Sequence, residues 1–174
     1  MLKILMLGDS LIADYDWQAR LPACNVENLG VPGATAADLL ESLPEIKSQG
    51  TGVEVIVIMI GTNDLLIGND EFQALLKKIL IQLSHDYPTA EILVNSLLPM
   101  ELPHLPQNTI ESLNCHIEAL TMQTGCCFLD VHKRFVNSNK TLFQEDGVHL
   151  TEAAYAIWTR ALLEHFAFLI EDDD

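Results

Sequence analysis

Apolar residues in this chain fall into two alternating patterns. The first is a short unbroken run. Ile4 to Leu7 closes at Gly8, and a weaker run, Val26 to Val31, is punctuated by Gly30 and Pro32. Val53 to Ile60 is the strongest and closes at Gly61; Ile92 to Leu98 ends at Pro99, and Cys126 to Val131 completes five. Runs that are apolar at nearly every position suit strands buried on both faces of a parallel sheet. The second pattern is helical spacing. Thr35 to Ser48 carries Ala36, Leu39, Leu40 and Leu43, and Asp70 to Tyr87 carries Phe72, Leu75, Leu76, Ile79, Leu80 and Leu83. Asn108 to Thr124 and Thr151 to Ile170 repeat the spacing, the last with Thr151 as its N-cap. Strand and helix in strict alternation predict right-handed βαβ units in a three-layer, doubly wound α/β domain. The domain is expected over residues 1–170, with Glu171 to Asp174 as a frayed acidic tail. Pro99 to Gln107 breaks the rhythm with three prolines among Met100, Leu102 and Leu105, and reads equally as a pocket wall or lid and as a packed connector.

Composition narrows the partners. The 174 residues are 49% hydrophobic and 20% charged, which is ordinary globular usage for a single domain. Nine Lys and Arg against 25 Asp and Glu give a formal charge of −16, a surface that repels nucleic acid and anionic lipid headgroups. No apolar stretch approaches the roughly 18 to 20 residues of a membrane span, so no stable membrane insertion is expected. The opening apolar run reads as a strand rather than a signal peptide, which makes the cytoplasm the expected location. Cys24, Cys115, Cys126 and Cys127 form no C-x-x-C pair and are expected as reduced thiols, the last two pointing to opposite faces of a strand. His85, His104, His116, His132 and His165 show no metal-ligand spacing, and nothing in the sequence defines an oligomeric state.

In open parallel sheets ligands bind beyond the carboxyl ends of the strands, so the residues following each strand carry the chemistry. Gly8-Asp9-Ser10 follows the first strand, and Asn28-Leu29-Gly30 follows the second. Gly61-Thr62-Asn63-Asp64 follows the third, and Asp146-Gly147-Val148-His149 comes after the fifth. Each has an ordinary explanation alone: a helix cap at Ser10, turns at Gly30 and Asn63, and an Asp-Gly turn with an incidental histidine. On one sheet edge they form the set that acyl transfer needs. Ser10 supplies a nucleophile, His149 a base and Asp146, three residues earlier, a carboxylate to orient the ring. The N–H groups of Ser10 and Gly30 and the Asn63 amide are candidate oxyanion donors.

These four segments resemble the blocks of the SGNH hydrolases, also called GDSL esterases and lipases. GDSL stands at Gly8–Leu11, NLGVPGAT at Asn28–Thr35, GTND at Gly61–Asp64 and DGVHL at Asp146–Leu150, in family order. The resemblance implies a flavodoxin-like five-stranded parallel sheet of order 2-1-3-4-5 with helices on both faces. It also implies carboxylic ester hydrolysis through an acyl-enzyme without metal or other cofactor, with catalytic Ser10, His149 and Asp146 and an oxyanion hole from Ser10, Gly30 and Asn63. The expected substrate is a small acyl ester with a short chain, with thioesterase or lysophospholipase activity as the nearest variant. Asp14 and Ala154 stand where many relatives carry glycine, and Tyr15, Trp17 and Arg20 are candidates for shaping the acyl or leaving-group site. A non-catalytic, receiver-like reading would instead place Asp9 and Asp64 around Mg²⁺ with Lys133 as the phosphate contact. An inactive homologue that retains the triad is the third possibility.

Overall fold

The computed structural model describes residues 1–172. Five parallel strands form one sheet of order β2-β1-β3-β4-β5: β1 (Leu2–Gly8), β2 (Cys24–Asn28), β3 (Val55–Met59), β4 (Glu91–Asn95) and β5 (Cys127–Leu129). β1 pairs with β2 from Leu2 opposite Cys24 and with β3 from Ile4 opposite Val55, so the three lie in register through the centre. Every residue of β3 is buried, as a central strand covered on both faces requires.

The long helices follow the periodic segments: α3 (Ala36–Gln49), α5 (Phe72–Asp86), α6 (Thr109–Thr124) and α8 (Glu152–Asp172). α3 opens on a capping box in which Thr35 Oγ1 accepts from the Asp38 N–H and Asp38 Oδ2 accepts from the Thr35 N–H. Thr151 Oγ1 accepts from the Ala154 N–H at 3.3 Å at the start of α8. That helix continues through Glu171 and Asp172, so it covers the first half of the segment expected to be a frayed tail; residues 173 and 174 lie outside the described residues.

Four short helices complete the fold: α1 (Ser10–Ala13), at the helix start expected around Ser10, and α2 (Trp17–Arg20), α4 (Thr62–Ile67) and α7 (Val131–Val136), in segments read from sequence as loop or strand end. α3, α5 and α6 pack side by side, and α8 lies across the sheet from them with α7 and the α1–α2 segment against it. The layer under α8 is aromatic. Tyr155 stacks on Tyr15 at 3.9 Å, and Trp17 meets Trp158 edge-on at 4.9 Å. Trp17 is buried and donates its indole N–H to the Ile12 carbonyl at 2.8 Å, while Arg20 pairs with Glu152 on α8. Trp17 is therefore a core anchor that fixes the segment after Ser10, not a side chain free to line a substrate site. No helix among the described residues is long and apolar enough to cross a membrane.

Candidate active site

Ser10 is the first residue of α1, immediately beyond β1. Asp9, fully buried, caps this helix: its Oδ1 accepts from the Leu11 N–H, and its carbonyl accepts from Ile12 and Ala13. Ser10 thus precedes the first hydrogen bonds of the turn, and its own N–H is one of the helix-start donors without an intrahelical acceptor. Burial pushes the Asp9 carboxyl up from its ordinary 3.8 to about 6, with the nearby Asp64 charge adding to the rise.

His149 and Asp146 arrive on the loop after α7. His149 Nε2 lies 3.3 Å from Ser10 Oγ, and His149 Nδ1 lies 2.5 Å from Asp146 Oδ2. The other oxygen, Asp146 Oδ1, accepts from the Val148 and His149 backbone N–H groups at 2.9 Å each. The hydrogen bond from His149, followed by those two N–H donors, holds the Asp146 carboxyl down at about 2. An ionised carboxylate only accepts, so Nδ1 carries the ring proton and Nε2 presents its lone pair to the serine.

The loop owes its shape to Gly147. Its φ of +71° lies in the left-handed region, and a Cβ there would stand 2.5 Å from the Glu101 carbonyl oxygen. The Glu101 N–H in turn donates to the Gly147 carbonyl at 2.9 Å. The Pro99 to Gln107 segment is thereby a brace for the Asp146–His149 loop, a contact that no sequence pattern signalled. Its Met100 is buried, and Leu102 and Leu105 pack against the core, as in the connector reading.

The two remaining candidates follow β2 and β3. Gly30 packs on α1 so tightly that a Cβ would lie 2.5 Å from the Ala13 nitrogen, which leaves glycine as the residue that fits. Its N–H donates to Asn28 Oδ1 at 3.0 Å, and the Asn28 amide donates to the Ile12 carbonyl at 3.0 Å. Asn28 therefore ties the Gly30 turn to α1, a role the Asn-Leu-Gly triplet could have revealed as an Asx turn. Asn63, in the first turn of α4, spends one amide hydrogen on the Ala34 carbonyl at 3.0 Å and keeps the second. A cleft of about 270 Å³ runs beside this loop, lined by Leu29, Val31, Pro32, Ala34 and Leu39 among others.

In the receiver-like constellation both Asp64 oxygens are already engaged. Asp64 is buried, with Oδ2 accepting from the Ala36 N–H and Oδ1 from the Asn69 amide, and Lys133 is exposed on α7. Asp14, which stands where many relatives carry glycine, is an exposed residue closing α1.

By family the chain is a carboxylic ester hydrolase. Residues 6–157 match the GDSL-like lipase/acylhydrolase family, and the chain belongs to it. Platelet-activating factor acetylhydrolase IB subunit alpha2 of Gallus gallus is 28% identical over 178 residues, spanning 97% of this chain and 78% of that protein. A solved structure from Streptococcus pneumonia, provisionally named as a platelet activating factor, superposes with a TM-score of 0.82 at 26% identity, covering 94% of this chain and 83% of that one. The acetylxylan esterase Axe2 of Geobacillus stearothermophilus shares the fold at a TM-score of 0.76 and 22% identity, covering 94% and 93% of the two chains.

Proposed function

We propose that the chain hydrolyses esters of short acyl groups through an acyl-enzyme on Ser10, with no metal in the reaction. The observation that carries this reading is the continuous line Ser10 Oγ, His149 Nε2, His149 Nδ1, Asp146 Oδ2, with spacings of 3.3 and 2.5 Å at its two polar contacts. In acylation Ser10 Oγ bonds to the ester carbonyl carbon while its proton passes to His149 Nε2. Asp146 stabilises the imidazolium that forms. The tetrahedral oxyanion accepts hydrogen bonds from the Ser10 N–H, the free Asn63 amide hydrogen and the Gly30 N–H, the last shared with Asn28. Collapse expels the alcohol, which takes the proton from His149. Water then attacks the acyl-serine by the same path, and the acid leaves.

Two facts support a short acyl group. Ser10 is only partly buried, and the side chains of His149 and Asp146 are 42% and 49% exposed, so the centre is an open sheet edge rather than a deep tunnel. The chicken relative is named as an acetylhydrolase, and Axe2 as an acetylxylan esterase. The test is a p-nitrophenyl ester series from acetate to octanoate with wild type and Ser10→Ala. Highest kcat/KM at acetate or butyrate, with loss of turnover in the variant, supports the reading; a maximum at octanoate overturns the chain-length assignment, and turnover retained without Ser10 overturns the mechanism.

A further inference from the structure

At the opposite ends of the strands from Ser10, three side chains from three elements converge. Glu91 opens β4 and Cys127 opens β5. Leu93 pairs with Cys127, and side chains alternate along a strand, so Glu91, two residues before Leu93, leaves the sheet on the same face as Cys127. α8 brings His165 to them, with His165 Nε2 2.5 Å from Glu91 Oε1. One carboxylate oxygen, one thiol sulfur and one ring nitrogen all lie within 4.8 Å of one another, each from a partly buried residue. Glu91 and Cys127 also line an open cavity of about 410 Å³ that includes Tyr87, Thr89, Thr124 and Gly125. Cys126 is turned away, its sulfur 4.0 Å from Ser84 Oγ on α5, so the thiol of this group is Cys127 alone.

We infer that Glu91, Cys127 and His165 form a zinc-binding site with three protein ligands. Carboxylate, thiolate and imidazole are the donor set that a borderline-soft, tetrahedral cation takes. Zinc bonds of about 2.0 to 2.3 Å put ligand atoms about 3.3 to 3.8 Å apart, so the Glu91–His165 contact widens by about 1 Å while Cys127 stays within reach. Three side chains on a fixed sheet and helix reach these separations by rotamer adjustment. The two anionic ligands balance the cation, and the bound ion pins the last turns of α8 to edge strand β5. Without metal the Cys127 thiol donates to Glu91, whereas zinc takes it as a thiolate, and the experiment turns on that difference.

Metal-free protein is titrated with zinc chloride by calorimetry and with cobalt chloride by absorbance, where a thiolate-to-cobalt charge-transfer band reports sulfur ligation. One equivalent is expected to bind, with that band. Cys127→Ser and His165→Gln, checked for folding by circular dichroism, should each weaken zinc binding by at least about 100-fold, beyond the range for loss of an outer-shell partner. Cys115→Ser, whose thiol is exposed elsewhere, should bind as wild type does. Absence of saturable uptake, several weak equivalents without the band, or binding unaltered in Cys127→Ser would overturn the site.

Discussion

Replacing Gly147 by alanine tests how the Asp146–His149 loop is held, and its cost can be worked from two separate terms. The first is conformational: an L-residue in the left-handed region costs about 1 to 2 kcal/mol, and φ here is +71°. The second is contact. The new Cβ would lie 2.5 Å from the Glu101 carbonyl oxygen, so the loop or its brace must shift and the Glu101-to-Gly147 hydrogen bond is weakened, at about 0.5 to 1.5 kcal/mol. Together they predict a loss of about 1.5 to 3.5 kcal/mol, or a Tm drop of about 3 to 14 °C for a domain of this size. Gly125→Ala is the internal control. Its φ is +72° with nothing within 4 Å of the added Cβ, so it carries the first term alone. The two variants are compared by urea unfolding and by p-nitrophenyl acetate hydrolysis. Gly147→Ala should be the less stable and lose about 100-fold in kcat, the scale for a misplacement of about 1 Å at a reacting group. Equal stability losses with unaltered kcat in both variants would refute the idea that Glu101 fixes the loop.

Four further outcomes follow from the same structure. Asn63→Ala should lower kcat by about 10²- to 10³-fold with little change in KM, and a loss below about threefold would remove this amide from the oxyanion hole. Asp146→Asn should lower kcat by about 10⁴-fold by presenting an N–H to Nδ1 and turning the ring to the wrong tautomer; a loss under tenfold would mean that Asp146 does not orient His149. In the wild type Asp146, held at about 2, stays ionised across the working pH range, so the rate profile should contain no limb from it between pH 4 and 9. Asp9 works in the other direction on stability. Its carboxyl is raised from 3.8 to about 6, so between those values the native state binds more protons than the unfolded chain, and stability falls as pH rises. The fall should total about 3 kcal/mol and vanish in Asp9→Asn; denaturant midpoints at pH 4 and 7 check it, and identical slopes in both proteins would show that Asp9 is not the group responsible.

The long elements were legible because the physics that forms them repeats. α5 and α6 begin within two residues of their predicted starts, and Thr151 takes the N-cap role expected of it. The short helices were not legible from periodicity: α1 and α2 have four residues each, too few for a period of 3.6 to show. β5 keeps only three of the six positions in the predicted run, since Asp130 caps α7 and draws Val131 into that helix. At the candidate site, the four segments that end near one another were readable because a parallel sheet delivers the residues after each strand to a common edge. What escaped the sequence were contacts between segments distant in the chain. Glu101 against Gly147 is one. Glu91, Cys127 and His165 are another, three residues with no mutual spacing, met only because two strand starts and a helix end coincide. Trp17 shows the converse: an aromatic near the nucleophile looked available to substrate, and the core claimed it.

The central claim is that Ser10 carries the acyl group. The most direct measurement is to treat wild type and Ser10→Ala with a fluorophosphonate, locate the adduct by mass spectrometry and follow p-nitrophenyl acetate hydrolysis in the same samples. The account predicts one adduct, on Ser10, with hydrolysis lost as the label accumulates and absent from the variant. An unlabelled Ser10 in a protein that still hydrolyses the ester, or turnover surviving in Ser10→Ala, would contradict it.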